Sequence, residues 1–269
     1  MSDMKNKVIN FYGCSFSHGG GLDNTKYFDY ARRNNLIVDS VSFETATDRH
    51  KFSKSCRFST LVGKHFDCEV NNFSQTSNNN DNIAQKVYSN LSKDIGDIHI
   101  VQFSFYSRQK VYLELTDEFY RLPTASLEDY NHKQKSLYHY YRSFIKYHYK
   151  EEYEQYKVKM YIDMLDSYAK SKSKKIYWMF WDRIPSGILE YKDVSIWSPD
   201  PTGEYGSGIM DLNIDTDNLI SFPPDGHMQK WAEVNKLLIR DETKGYYNDL
   251  HLSQKGNRVV SDKIIEVLS

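Results

Sequence analysis

Residues 7–22 read KVINFYGCSFSHGGGL. The run KVINFY at 7–12 leads straight into Gly13, Cys14 and Ser15, and three glycines follow at 19–21. Its length and composition are those of a buried strand. The glycines turn the chain directly after it, because a residue without Cβ tolerates backbone angles that others do not. A serine at the end of a buried strand stands where an open α/β sheet presents groups to a ligand. That reading requires strands and helices to alternate further along the chain.

They do alternate. A helix is expected over 55–65, with Phe58, Leu61 and Val62 on one face, and a second strand over 67–73 (DCEVNNF). The polar loop SQTSNNNDN then enters a helix on which Ile83, Ala84, Val87 and Leu91 recur at helical spacing, with Asn80 or Asp81 as its cap. A third strand is expected over 97–104 (DIHIVQFS). The longest helical signal covers 134–170, interrupted by the charged KEEYEQYK, and the strand IYWMFW follows at 176–181. The chain ends in an amphipathic helix with Val260, Ile264, Val267 and Leu268 on one face. Residues 24–53 and 182–222 read as irregular, and 105–130 show no clear period. The order predicts an α/β fold, a three-layer sandwich around a mostly parallel central sheet. One domain over 1–269 is expected, elaborated at about 105–222.

Composition narrows the function classes. The chain holds 35 basic and 36 acidic residues, so no overall field favours nucleic acid or an anionic membrane. The lysine-rich KSKSKK at 170–175 reads as a solvated loop. The three cysteines, Cys14, Cys56 and Cys68, have neither the number nor the spacing of a disulfide framework or zinc site. His99, His132, His139 and His148 are scattered without ligand spacing, so no metal and no cofactor are expected. The first residues are too polar for a signal peptide, and no apolar run approaches the ~20 residues of a membrane span. A soluble, cytoplasmic protein without nucleic-acid or membrane partners is the expectation, with the oligomeric state open. Tyrosine is abundant, 22 residues, and rings at a site mouth suit sugars.

Three stretches carry chemistry. Ser15 needs a base and oxyanion donors to act as a nucleophile, and a turn after a strand exposes its Oγ. Near the other end, YNDLHLS at 247–253 places Asp249 two residues before His251, an acid that can orient an imidazole. Between them, NFSQTSNNNDNI at 72–83 supplies amides at a strand end. Each also has a structural reading, as a turn, a surface histidine or an Asx-rich cap.

Taken together and in this order, GCSFS at 13–17, NFSQTSNNNDNI at 72–83 and DLHLSQKGN at 249–257 resemble the SGNH/GDSL hydrolase family. The likeness is strongest to a branch with a Gly-Cys-Ser-Phe-Thr first block, found in phage and bacterial proteins. It implies a flavodoxin-like sandwich with Ser15 as nucleophile, His251 as base and Asp249 as its acid. Ser15, Ser77 and Asn80 would form the oxyanion hole, and Asn72 and Ile83 also fit the second block. The pattern departs in three places. Ser77 stands where the second block has glycine. The third-block asparagine has no equivalent, leaving Gln102 and Ser104 as the nearest polar residues and Asn80 as a stand-in. The acid falls at Asp249 instead of Asn248, which leaves either a triad or a Ser-His dyad.

Other residues complete the candidate set. Asp225-Gly-His227 is a second acid-histidine pair. His18 lies three residues after Ser15. In the resembling branch an arginine often stands at Arg108, which implies a substrate contact or a structural ion pair. Cys14 is expected to be buried and inert. The resulting expectation is a serine esterase acting on a small-molecule or glycan ester, such as a carbohydrate O-deacetylase. An acyltransferase using the same serine and a non-catalytic binding or assembly module remain the alternatives.

Overall fold

Val8–Tyr12 forms β1, and the four-residue helix α1, Ser15–His18, follows it. Next come α2 (Ala46–Cys56), α3 (Phe58–Phe66), β2 (Glu69–Asn72), α4 (Asn80–Ser92) and β3 (Ile98–Phe103). The strands β4 (Gln109–Leu113) and β5 (Glu118–Leu122) pair antiparallel. The long helix α5 (Glu151–Ser171) leads into β6 (Lys175–Phe180), and β7 (Ile188–Glu190) pairs antiparallel with β8 (Ile209–Asp211). The chain closes with α6 (Met228–Val234), β9 (Leu238–Asp241), β10 (Tyr247–Leu252) and α7 (Gln254–Leu268). This computed structural model describes residues 4–22, 46–76, 78–106, 108–113, 118–122, 143, 150–182, 184–185, 188–190, 209–211, 214, 217–223, 226–241 and 247–269. At 46, 109–113, 118–122, 188–190, 209–211, 240–241 and 247–250 the description is of backbone.

The central sheet has the order β2-β1-β3-β6, and every pairing in it is parallel. Leu219 adds a parallel bridge beyond β6, where the Trp178 amide donates to the Asn218 carbonyl at 2.9 Å. The strands β1, β3 and β6 are mostly apolar and buried because both sheet faces are covered there, whereas the edge strand β2 (EVNN) is polar and half-exposed. Ile9, Phe11, Ile98 and Ile100 face a core shared with Phe58, Val62, Val260 and Ile264 of α3 and α7. On the other face, Tyr12, Val101 and Phe103 pack with Ile83, Val87 and Leu91 of α4 and with Val158, Ile162 and Leu165 of α5. The period-two alternation of β3 thus assigns its residues to the two helix layers. This is the expected α/β architecture.

The chain leaves β1 on one side to make β2, then returns to make β3 on the other. The switch point lies between the outgoing and returning connections, and the crevice outside the carboxyl ends there is where such folds bind ligands.

Several boundaries differ from the sequence expectation. The expected helix over 55–65 is two helices that break at Arg57, and α2 takes in 46–53, which had read as irregular. The residue before α4, Asn79, caps it by accepting from the Asn82 amide at 3.0 Å, in place of Asn80 or Asp81. Part of the long helical signal is α5, which starts at Glu151, inside the charged stretch that had read as a break. The hairpin β7–β8 lies within 182–222, where loops alone had been expected. Residues 24–45 and 123–142, along with His132, His139 and His148, lie outside the described residues.

One buried polar group marks the sheet interior. His99 on β3 is fully buried, and its Nδ1 lies 3.0 Å from the Tyr12 hydroxyl, which also accepts from Asn90 Nδ2 at 3.1 Å. Desolvation, reinforced by the Lys174 charge, lowers the His99 pKa to about 4. The unfolded chain therefore binds a proton that the folded chain refuses between about pH 6.5 and pH 4. Stability should fall with acidification across that window, by about 2 kcal/mol at pH 4.5. Urea unfolding at pH 7 and pH 4.5 checks this, and His99→Gln should remove that part of the pH dependence.

Candidate active site

The site is built first from glycines. A Cβ at Gly13 would meet Ser17 Oγ at 2.5 Å and Gln102 Oε1 at 2.9 Å. Gly13 therefore lets the end of β1 press against the hydrogen bond from the Ser17 hydroxyl to Gln102. Gly19 has φ 78 and ends α1 in the left-handed region, where its amide donates to the Phe16 carbonyl at 3.3 Å. Gly20 donates its N–H to the Ser15 carbonyl at 2.7 Å. A Cβ on Gly20 would lie 2.8 Å from His251 Nε2 and 3.0 Å from the Ser15 carbonyl oxygen. The missing side chain is what allows His251 to approach the turn that carries Ser15.

His251 arrives from the opposite end of the sequence on β10. That strand pairs antiparallel with β9, and its register shifts between Asn248 and Leu252. Such irregularities re-aim side chains next to active sites. The segment after His251 holds it in place. Ser253 caps α7 by accepting from the Gly256 amide at 3.1 Å, and its hydroxyl donates to the Leu237 carbonyl at 2.7 Å. Asn257, 1% exposed, donates to the carbonyls of Leu252 and Ser253 and accepts from the Phe58 amide at 3.2 Å. Phe16 completes the contact, with its ring tilted 38° to that of His251 at 4.9 Å between centroids and stacked on Trp181 at 3.5 Å. Asp249 is placed as a residue of β10, and its carboxylate lies outside the described atoms.

Loop 73–80 wraps the other side of the serine turn, and its three adjacent asparagines do different work. Asn78 Nδ2 donates to the Gly13 carbonyl at 3.2 Å. Asn79 caps α4. Asn80 Oδ1 accepts from the Ser104 amide at 2.7 Å, and its Nδ2 lies 3.4 Å from the Ser104 carbonyl. Asn80 is thus occupied with the end of β3, and Asn78 is the amide against the serine turn. Asn72 ties the blocks together, donating to the Ser17 carbonyl at 3.1 Å and to Ser59 Oγ at 3.0 Å. Ser77 lies outside the described residues. Asn80→Ala should leave the buried Ser104 amide without an acceptor and cost about 1–3 kcal/mol, read as a lower urea midpoint.

The remaining candidates divide by position. His18 Nδ1 lies 3.1 Å from the Ser74 carbonyl, which fixes its ring beside the loop. Gln102 and Ser104 are both buried. Gln102 accepts from Ser17, and its Nε2 lies 3.7 Å from Met228 Sδ, so it braces the turn from below. Ser104 Oγ accepts from Arg108 Nη1 at 2.9 Å. The Arg108 guanidinium also stands 5.2 Å from the Phe105 ring centroid and 5.7 Å from that of Phe16, and it pairs with no carboxylate among the described residues. His227 precedes α6 as its N-cap, while Asp225 lies outside the described residues. Cys14 is fully buried, as expected.

Polar groups without protein partners gather at this end of the sheet. Ser74 Oγ, Asn78 Oδ1, Asn79 Nδ2, Arg108 Nε and Trp181 Nε1 are buried and make no hydrogen bond to the described residues. Each such group costs about 1–3 kcal/mol when left unsatisfied. Asn78 bonds the Gly13 carbonyl, and Arg108 and Trp181 lie against Phe16, so three of the five belong to residues that touch the Ser15 turn. No group of three or more His, Cys, Asp or Glu that could hold a metal occurs among the described residues. No helix among them is long and apolar enough to cross a membrane.

No protein-family model and no curated protein sequence matches the chain. Solved structures similar to it include LAE5, an α/β hydrolase from the metagenome of Lake Arreo, Spain, with TM-score 0.41 and 11% identity over 97% of this chain and 94% of that one. Another is a G-D-S-L family protein from Desulfitobacterium hafniense, with TM-score 0.34 and 12% identity over 97% and 99% of the two chains. A third is a variant of Axe2, an acetyl-xylooligosaccharide esterase from Geobacillus, with TM-score 0.39 and 11% identity over 100% and 97%. The α/β fold itself is read from the order and direction of the strands in this chain.

Proposed function

We propose that the chain is a serine esterase of the SGNH type, with acylated carbohydrate as its substrate. The observation that carries this reading is the approach of His251 Nε2 to the Ser15 turn across Gly20, at the carboxyl end of β1. Ser15 Oγ attacks the acyl carbonyl carbon while His251 takes its proton. The tetrahedral oxyanion collapses, the carbonyl re-forms, and the alcohol leaves with the proton returned by His251. Water then attacks the acyl-enzyme, with His251 again as base, and releases the acid. Asp249 is assigned to orient the imidazole, and the Ser15 and Ser77 amides to meet the oxyanion. Asn78 supports that loop from the Gly13 carbonyl.

A fluorophosphonate probe tests the nucleophile-base pair. Ser15 Oγ displaces fluoride from phosphorus, and the adduct is located by peptide mass spectrometry. Labelling at Ser15 that disappears in His251→Ala supports the assignment. Labelling confined to another serine overturns it.

A further inference from the structure

A cavity of about 680 Å³ opens between α2, α3 and β2. Its size is that of a small-ligand pocket. Lys54, Arg57 and Lys64 line it, together with His18 and His50, and Asp67 is the one acidic residue among the described residues of the wall. Asp67 is already paired with Lys5 at 3.1 Å. Neither Lys54 nor Lys64 pairs with a carboxylate among the described residues. In a chain whose 35 basic and 36 acidic residues nearly cancel, basic side chains outnumber acidic ones among the described residues of this wall. Such a cleft focuses its field on an anion.

The cationic wall is joined to the candidate active site. Arg57 is 7% exposed, and its stem lies against Gly19, where an added Cβ would be 2.7 Å from Cγ. His18 lines the cavity and ends the helix that Ser15 begins, about 5 Å along its axis. Asn72, also in the wall, donates to the Ser17 carbonyl. Ser59, Thr60 and Asn71 also line the cavity, each with a bond inside the protein: Thr60 Oγ1 donates to the Lys54 carbonyl at 2.7 Å, Ser59 Oγ accepts from Asn72 and Asn71 Nδ2 donates to Asn10 Oδ1 at 3.2 Å. Cations around a polar floor suit an anionic group on a hydroxyl-rich body.

We propose that this cavity binds the charged part of an acidic sugar, through a carboxylate or a phosphate, and so selects which molecule reaches Ser15. The link to Ser15 rests on the esterase reading, whereas binding in the cavity does not.

The test uses the full-length Ser15→Ala chain, so that binding is measured without turnover. Isothermal titration calorimetry compares cellobiuronic acid with cellobiose, its uncharged counterpart, and glucose 6-phosphate with glucose. At least one charged member should bind tenfold or more tightly than its uncharged partner, and added salt should weaken the preference. Which pair shows the difference identifies the anion as carboxylate or phosphate. The double variant Lys54→Gln and Lys64→Gln, at two exposed positions, should abolish the preference. Equal binding of charged and uncharged sugars overturns the proposal, and so does a preference that survives the double variant. A lysine-dependent preference in a chain whose Ser15 resists fluorophosphonate would sustain the cavity and sink the esterase reading. A labelled Ser15 without any anion preference would do the reverse.

Discussion

Ser15→Ala is expected to lower ester hydrolysis at least a thousandfold and to leave the unfolding midpoint within about 1 kcal/mol of the parent. The activity loss follows from chemistry: without the hydroxyl no acyl-enzyme forms, and the water route keeps only what binding and oxyanion contacts provide. The small stability effect follows from placement. Ser15 is 4% exposed but sits in a one-turn helix whose geometry is set by its backbone, with the His18 amide on the Cys14 carbonyl at 3.0 Å and the Gly20 amide on the Ser15 carbonyl. Alanine keeps all of these bonds. Turnover of 4-nitrophenyl acetate and urea unfolding on the same preparations separate the two effects. Full retention of hydrolysis by a folded Ser15→Ala chain would remove Ser15 from the mechanism. A collapse of stability would instead make it a structural serine.

The sheet was legible because burial on both faces forces long apolar runs, and KVINFY, DIHIVQFS and IYWMFW have no other economical reading. The turn at Gly13 was legible for a different reason, since a tight turn directly after a buried strand suits few residues, whereas the cap of α4 was expected at Asn80 or Asp81 and is Asn79. The hairpin of β9 and β10 was not legible. LIRD and YNDLHL are short and mixed, and their pairing depends on a register shift that no local periodicity encodes. Helix α2 was missed because ATDRHKFSKSC carries few apolar residues, and its inward face is set by tertiary contacts such as Phe52. Three consecutive asparagines read as one polar turn, yet Asn78, Asn79 and Asn80 reach different partners. Sequence order alone cannot assign such roles, because they depend on where the ends of β1 and β3 lie relative to the loop. The pairing of Ser15 with His251, 236 residues apart in the chain, rests in the sequence on family resemblance alone, and the structure adds that His251 Nε2 lies 2.8 Å from where a Cβ on Gly20 would stand.

Gly20→Ala should cut catalysis about a hundredfold or more while costing little stability, a combination that neither a loop glycine nor a core glycine would give. Gly20 does not need the left-handed conformation that Gly19 adopts, so alanine is tolerated there by the backbone. What alanine cannot do is share space with His251. The new methyl would sit 2.8 Å from Nε2 and 2.9 Å from Cδ2 of the ring, and 3.0 Å from the Ser15 carbonyl oxygen. The carbonyl is held by the turn itself, so the imidazole must give way. A base displaced by even about 1 Å loses the alignment on which proton transfer from a serine depends. The loss should appear in kcat rather than KM, since the displaced group acts on the reacting hydroxyl. It should also slow fluorophosphonate labelling of Ser15 in proportion. Gly21→Ala is the matched control, because Gly21 has φ 81 and alanine there strains the backbone. Its expected signature is lower stability with a smaller loss of labelling. If Gly20→Ala labels Ser15 at the parent rate, His251 does not act on Ser15 across that turn, and the base must be sought elsewhere at the strand ends, beginning with His227.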